Sequence, residues 1–177
     1  MGNQTVAELK KKSDAAWEHL SRQLQGMEPY IDRSDAPGEW TTREVLSHLL
    51  FEAGFEPSAF LRTFADRNLP VVEVNASDTH MTPERRKATL KELADSLDAQ
   101  RKSLFAYLEG LSDAELGRKA RIPLFKDFMG TDEIPIPMFV GAMFDYHWND
   151  HAGQLEKIRQ AVGLSNDAAM KPGEMHA

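Results

Sequence analysis

The chemistry available to this chain rests on three histidines. His147 and His151 stand four residues apart, which on a helix places them one turn above each other. They share that face with Phe144, Leu155 and Ile158. The rise between their α-carbons is about 6 Å, so two imidazole nitrogens can reach one cation at about 2.0–2.1 Å. His48 lies on the apolar stripe of an earlier helical segment, between Val45 and Glu52. Packed helices approach to about 8–10 Å between axes, which lets His48 supply a third nitrogen. Three neutral imidazoles from two helices leave a coordination position open, the pattern of a catalytic ion rather than a structural one. Water at that position is acidified toward neutrality, and a small thiol binds there as thiolate.

A pair of helical histidines on an apolar face is as often structural as ligating. This pair also lacks the glutamate that follows the first histidine of a zincin helix, because Trp148 stands there. The third inward histidine on a different helix is what tips the reading to metal. His19, His80 and His176 are read as non-ligands, although His80 sits in a loop that could fold over the site. Glu52 follows His48 by four residues and so falls on the same helical face, as a general base, a hydrogen-bond partner behind a ligand, or a fourth ligand. A partly exposed carboxylate explains it equally well. Gln154, three residues after His151, is placed to orient a ligand or a water. Asp145, Tyr146, Asn149 and Asp150 turn toward helix neighbours or solvent. Trp40, Trp148 and the cluster Met138, Phe139 and Met143 read as core before substrate box.

Composition narrows the classes. A net charge of −7 and a pI near 5.4 oppose a phosphate-binding surface, so no nucleic-acid partner is expected. The basic runs Lys10 to Lys12 and Arg85 to Lys87 read as solvated faces. With no cysteine in the chain, disulfides, thiolate ligands and a cysteine nucleophile are excluded, and the cytoplasm is the expected compartment. Met1 to Val6 has no signal-peptide character, and no apolar run approaches the roughly 20 residues that span a bilayer, so no membrane partner is expected. An apolar fraction of 41% and a charged fraction of 28% over 177 residues fit one globular domain with its own core.

The elements that must position the histidines follow from the apolar spacing. Val6, Leu9, Ala16, Trp17, Leu20, Leu24 and Met27 predict a first helix from Thr5 to about Met27. Thr41 or Thr42 caps a second, running from Thr42 toward Asp66 with a kink or restart at Gly54 and Pro57. Asn68 to Thr79 is a loop. Thr82, Pro83 and Glu84 open a third helix that ends at Gly110, and Ser112 caps one short turn. Ile122 to Pro137 is a long connection, expected to act as a lid or wall over one end of the bundle. A fourth helix runs from near Pro137 to Gly163. No strand alternation is evident. The expected architecture is all-α: a four-helix bundle over residues 1–164, with a long connection before the last helix and a mobile tail over residues 165–177.

Two segments carry a family resemblance. One is Gly38-Glu39-Trp40-Thr41-Thr42-Arg43-Glu44-Val45-Leu46-Ser47-His48-Leu49, the other His147-Trp148-Asn149-Asp150-His151-Ala152-Gly153-Gln154-Leu155. At these residues the chain resembles the DinB-like superfamily, in which Trp-Thr or Trp-Ser opens the second helix ahead of one metal histidine. There a His-x-x-x-His followed by Gln-Leu supplies the other two. The resemblance covers about Thr5 to Leu164. It implies a four-helix bundle with an unusual connection order, a zinc, nickel or similar ion on His48, His147 and His151, and often a homodimer. It also implies metal-dependent hydrolysis, or S-transfer and isomerisation with low-molecular-weight thiols.

The leading expectation is therefore a metal-dependent enzyme acting on a small molecule, with Glu52 and Gln154 as candidate catalytic residues. Its nucleophile would be water, or a low-molecular-weight thiol cosubstrate in a detoxifying transferase, and the resemblance alone tilts the balance to the thiol. The competing class is a non-catalytic bundle stabilised by its ion, which predicts a closed site. Haem is disfavoured, because residues on adjacent turns of one helix cannot be opposite axial ligands.

Overall fold

The computed structural model describes residues 2–164. The expected mobile tail and His176 lie outside the described residues. Helix α1 spans Gly2–Leu24 and buries Val6, Leu9, Ser13, Ala16, Leu20 and Leu24 along one face, as its spacing dictates. It stops before Gly26, which turns the chain at a φ of 76°. The buried guanidinium of Arg159 donates to the carbonyls of Gln23 and Gln25 at this end. A cation there satisfies orphan carbonyls and complements the helix dipole.

Helix α2 (Thr42–Leu49) opens on a capping box. The Glu44 amide donates to Thr41 Oγ1 at 3.1 Å, and the Thr41 amide donates to Glu44 Oε1 at 3.0 Å. The apolar pattern suggested a longer helix, but the chain leaves it at Phe51, whose φ of 60° is left-handed. Helicity restarts at α3 (Pro57–Arg62), with proline in the first turn, where it costs no hydrogen bond. The expected third helix is also two pieces, α4 (Pro83–Lys87) and α5 (Leu90–Glu109). Ala88 is extended between them, and Thr89 recaps the chain with a second capping box to Glu92. Helix α6 (Asp113–Leu116) is the short turn capped by Ser112.

The long connection before the last helix adds one small non-helical feature to the all-α bundle. Strand β1 (Lys119–Arg121) pairs antiparallel with β2 (Glu133–Pro135), Ala120 facing Ile134. Three residues per strand are too few for alternation to be legible in sequence. The long connection is thus a hairpin, containing helix α7 (Lys126–Met129) and anchored in the core by Ile122, Phe125 and Ile134.

The last helix is continuous but not uniform. Helix α8 (Ile136–Gly141) passes into a π-helical stretch, Ala142–Trp148, and then into α9 (Asn149–Ala161). Ile136, Val140, Phe144, Trp148 and Ala152 are all buried and recur every four residues. In a pure α-helix each such step drifts by about 40°, carrying the stripe off the core. The wider π turns hold it in place, and π segments of this kind recur at functional sites. Helix α1 packs on α5 and α9, while α2 packs on α5 and α9, giving a four-helix bundle whose largest buried side chains include Trp148, Phe144, Leu20 and Leu97. Among the described residues, no helix is long and apolar enough to cross a membrane.

Candidate metal centre

The capping box of α2 fixes where that helix begins, and so where His48, in its last turn, must lie. His48 is buried, at 3% exposure. His147 comes from the π segment and His151 from α9, each one residue before a buried position, Trp148 and Ala152. Both rings therefore sit half-buried on the flank of the core stripe, toward α2. The ligand atoms of the three histidines all lie within 4.8 Å of one another. Ring centroids are 4.8–4.9 Å apart at interplanar angles of 63–82°. The rings meet edge-on rather than stacking, which brings nitrogens, not faces, to the common point.

The hydrogen bonds behind the rings fix the tautomers. His48 Nδ1 lies 2.7 Å from the backbone carbonyl oxygen of Asp78. A carbonyl only accepts, so Nδ1 carries the proton and Nε2 of the neutral ring presents a lone pair. His151 Nδ1 lies 2.8 Å from Gln154 Oε1, and with that oxygen accepting, its Nε2 is likewise a lone pair. His48 Nε2 and His147 Nε2 stand 2.8 Å apart. Without a cation that distance requires a proton from His147 between them. With one, both nitrogens point at the same ion. An outer acceptor behind each of two ligating imidazoles is the arrangement metal-binding histidines use, so the donor set fits a divalent ion. Among the described residues no carboxylate joins the cluster.

Electrostatics point the same way. Burial pushes the His48 imidazolium below its ordinary range, against the carbonyl of Asp78, which favours the charged form; nearby His151 and His80 lower it further. His147 is pushed down to about 3, first by burial and then by the charges His151 and His48 would carry. Both rings are neutral at physiological pH, the state a metal ligand needs.

Aromatic rings wall the cluster. Trp40 lies 4.8 Å from His48 and stacks on His151 at 6.1 Å and 14°. Phe51 lies 6.0 Å from His147. His80, read from sequence as a non-ligand, stacks on His48 at 6.2 Å and 15°. It contributes no atom to the cluster but belongs to its wall. The Asp78 carbonyl carried no sequence signal, since any residue has one. The turn before the Thr82 cap was the only hint at His80.

The other nominated residues separate. Glu52 does not share a helical face with His48, because α2 ends at Leu49. It is exposed in the following turn. Gln154 abuts His151 and borders a cleft of about 640 Å³ that Asp35, Glu39 and Asp150 also line. His19 Nδ1 lies 3.0 Å from Asn149 Oδ1, and Asp145 pairs with Lys12 at 3.1 Å. Trp148, Phe139 and Met143 are core, whereas Trp40 is half-buried against His48 and His151.

Comparisons agree with this picture. The family profile described as the DinB superfamily matches residues 3–155. Among solved structures, the chain is similar to YfiT from Bacillus subtilis, described as a probable metal-dependent hydrolase with an unusual four-helix bundle topology. The two are 17% identical, the match covers 89% of each chain, and the TM-score is 0.66. At that identity the likeness speaks to the fold. No curated protein matches the chain significantly.

Proposed function

The chain belongs to the DinB superfamily, and from that premise we propose that it is a metal-dependent hydrolase whose divalent ion, zinc or nickel, is held by His48, His147 and His151. The observation that carries this reading is the convergence of the three imidazoles from α2 and the last helix, two of them kept neutral by burial. A divalent ion bound there supplies Lewis acidity, which lowers the pKa of water and polarises a carbonyl or phosphoryl oxygen. The chain's own residues do the rest. Asp78 and Gln154 fix the rings of His48 and His151 so that their Nε2 lone pairs stay aimed. Trp40 and Phe51 cover the cluster and limit bulk water. With only three protein ligands, positions remain for water and substrate.

Water is preferred to a thiol as the nucleophile. The similar solved structure is described as a probable metal-dependent hydrolase. The substrate is a small molecule, and the compartment the cytoplasm. The test is a panel of activated esters, amides and phosphoesters offered to metal-loaded protein in ¹⁸O-water, with and without added thiols. Hydrolysis that carries one ¹⁸O into the product and needs no thiol is the expected result. Turnover that appears only with a thiol, with sulfur in the product, would replace this reading by the transferase. Metal binding that raises stability with no turnover on any substrate would favour the non-catalytic bundle.

A further inference from the structure

Arg85 lies in α4 as the first residue of the basic run Arg85 to Lys87, where the sequence suggested only a solvated face. Its side chain turns inward instead. One terminal nitrogen, Nη1, directs its two hydrogens to its nearest acceptors, the carbonyl oxygens of Phe51 and of His80 at 2.8 Å, and also lies 3.1 Å from the Ser47 carbonyl oxygen and 3.3 Å from Ser47 Oγ. The main chain of α4 is anchored independently. The Arg85 amide donates to the Thr82 cap, and its carbonyl accepts from Arg43, which is paired with Asp32.

Each acceptor belongs to a segment that touches the histidine cluster. Ser47 precedes His48. Among the described residues, Phe51 and His80 are two of the three non-glycine residues with left-handed φ, 60° and 54°, and their rings lie against His147 and His48 respectively. Left-handed backbone at residues with a Cβ persists only where the surroundings over-determine it. Here a guanidinium binds the carbonyl of both. Two residues before His80, the Asp78 carbonyl accepts a hydrogen bond from His48 Nδ1, and the Asp78 carboxylate accepts from the His80 amide at 2.7 Å. The loop that fixes the His48 tautomer is therefore pinned to the end of α2 through Arg85.

We propose that Arg85 is a positioning residue of the metal centre: it clamps the Asp78–His80 loop onto the C-terminal end of α2 and so keeps His48 Nε2 free to ligate. This rests on the metal reading above. Arg85 touches no ligand atom and acts only through the backbone it holds. Replacing it leaves carbonyls without a donor, frees the loop, and lets His48 sample the tautomer with Nε2 protonated, which cannot bind an ion.

The test uses the full chain and two readouts. Zn²⁺ and Ni²⁺ dissociation constants come from competition with a chromogenic chelator. The His48 tautomer comes from ¹⁵N shifts of the metal-free protein. Arg85→Met is expected to weaken both metals by about tenfold or more, the size of other losses behind a ligating histidine, and to mix the His48 tautomers. Arg101→Met, which removes a buried arginine paired with Asp14 and Asp98, is the control for general destabilisation and is expected to leave both readouts unchanged. Arg85→Lys keeps the charge but not the reach, and is expected to fall between wild type and Arg85→Met; it decides the matter if the methionine variant does not fold. Unchanged affinity and an unchanged tautomer in the folded Arg85 variants overturn the proposal, as does an equal loss in Arg101→Met. If the wild type binds neither metal, the metal reading fails first, and the tautomer measurement still judges the clamp.

Discussion

The Nε2 atoms of His48 and His147 face each other across 2.8 Å, although one ring arrives from α2 and the other from the π segment of the last helix. His48 already spends its Nδ1 proton on the Asp78 carbonyl. The pair therefore has room for one positive centre, either a proton on His147 or a metal ion shared with His151.

That arrangement makes metal-free stability depend on pH. The His147 pKa is about 3 in the folded chain, below the ordinary value near 6.5 that holds in the unfolded chain. His48 shifts in the same direction. Between those limits the unfolded chain binds more protons, so stability falls as pH drops from about 6.5 toward 3, by up to about 1.4 kcal/mol per pH unit for each group fully shifted. Above about 7 these two groups contribute no slope. Urea titrations of chelator-treated protein across this range check it, and a flat profile would mean that the rings are not buried as described.

Gln154 Oε1 holds the outer nitrogen of His151 at 2.8 Å. Gln154→Leu removes that acceptor from a half-buried surface position. The expected outcome is metal affinity weaker by about tenfold to a hundredfold, with unfolding free energy within about 0.5 kcal/mol of wild type. Chelator competition and denaturant unfolding, run side by side, separate the two effects.

Glu52 points the other way. It lies beyond the end of α2 and is exposed, so Glu52→Gln is expected to leave zinc affinity within about twofold of wild type, as surface substitutions do. A drop of about tenfold, the scale of a lost outer contact, would return it to the site.

Thr41 closes the capping box that sets the register of α2. Thr41→Ala is expected to cost about 1 kcal/mol in chemical unfolding, the usual value of an N-cap hydroxyl. No measurable loss would mean that tertiary packing alone fixes the start of the helix.

How far the sequence reaches can be read from particular residues. His147 and His151 were legible because four-residue spacing on a helix survives even a π segment, and His48 because it falls on the apolar stripe that follows Val45. Thr82, Ser112 and the pair Thr41 and Thr42 announced helix starts, with Thr41 proving to be the cap of α2, since each cap is a local contact between neighbours. The failures were non-local. The apolar pattern ran through Ala88, but Arg43 takes the carbonyls of Arg85 and Ala88 and stops α4 there. The pattern also ran through Phe51, where Arg85 captures the carbonyl, and this removed Glu52 from the face of His48. The strands are too short to show a period, and the Asp78 carbonyl is invisible to any reading of side chains.

The most direct measurement is the metal content of protein purified without a histidine tag, compared with His48→Ala, His147→Ala and His151→Ala. Wild type is expected to carry about one divalent ion per chain, and each variant almost none, while remaining helical by circular dichroism. A folded variant that keeps the wild-type content would contradict the shared three-histidine centre on which the proposed hydrolase depends.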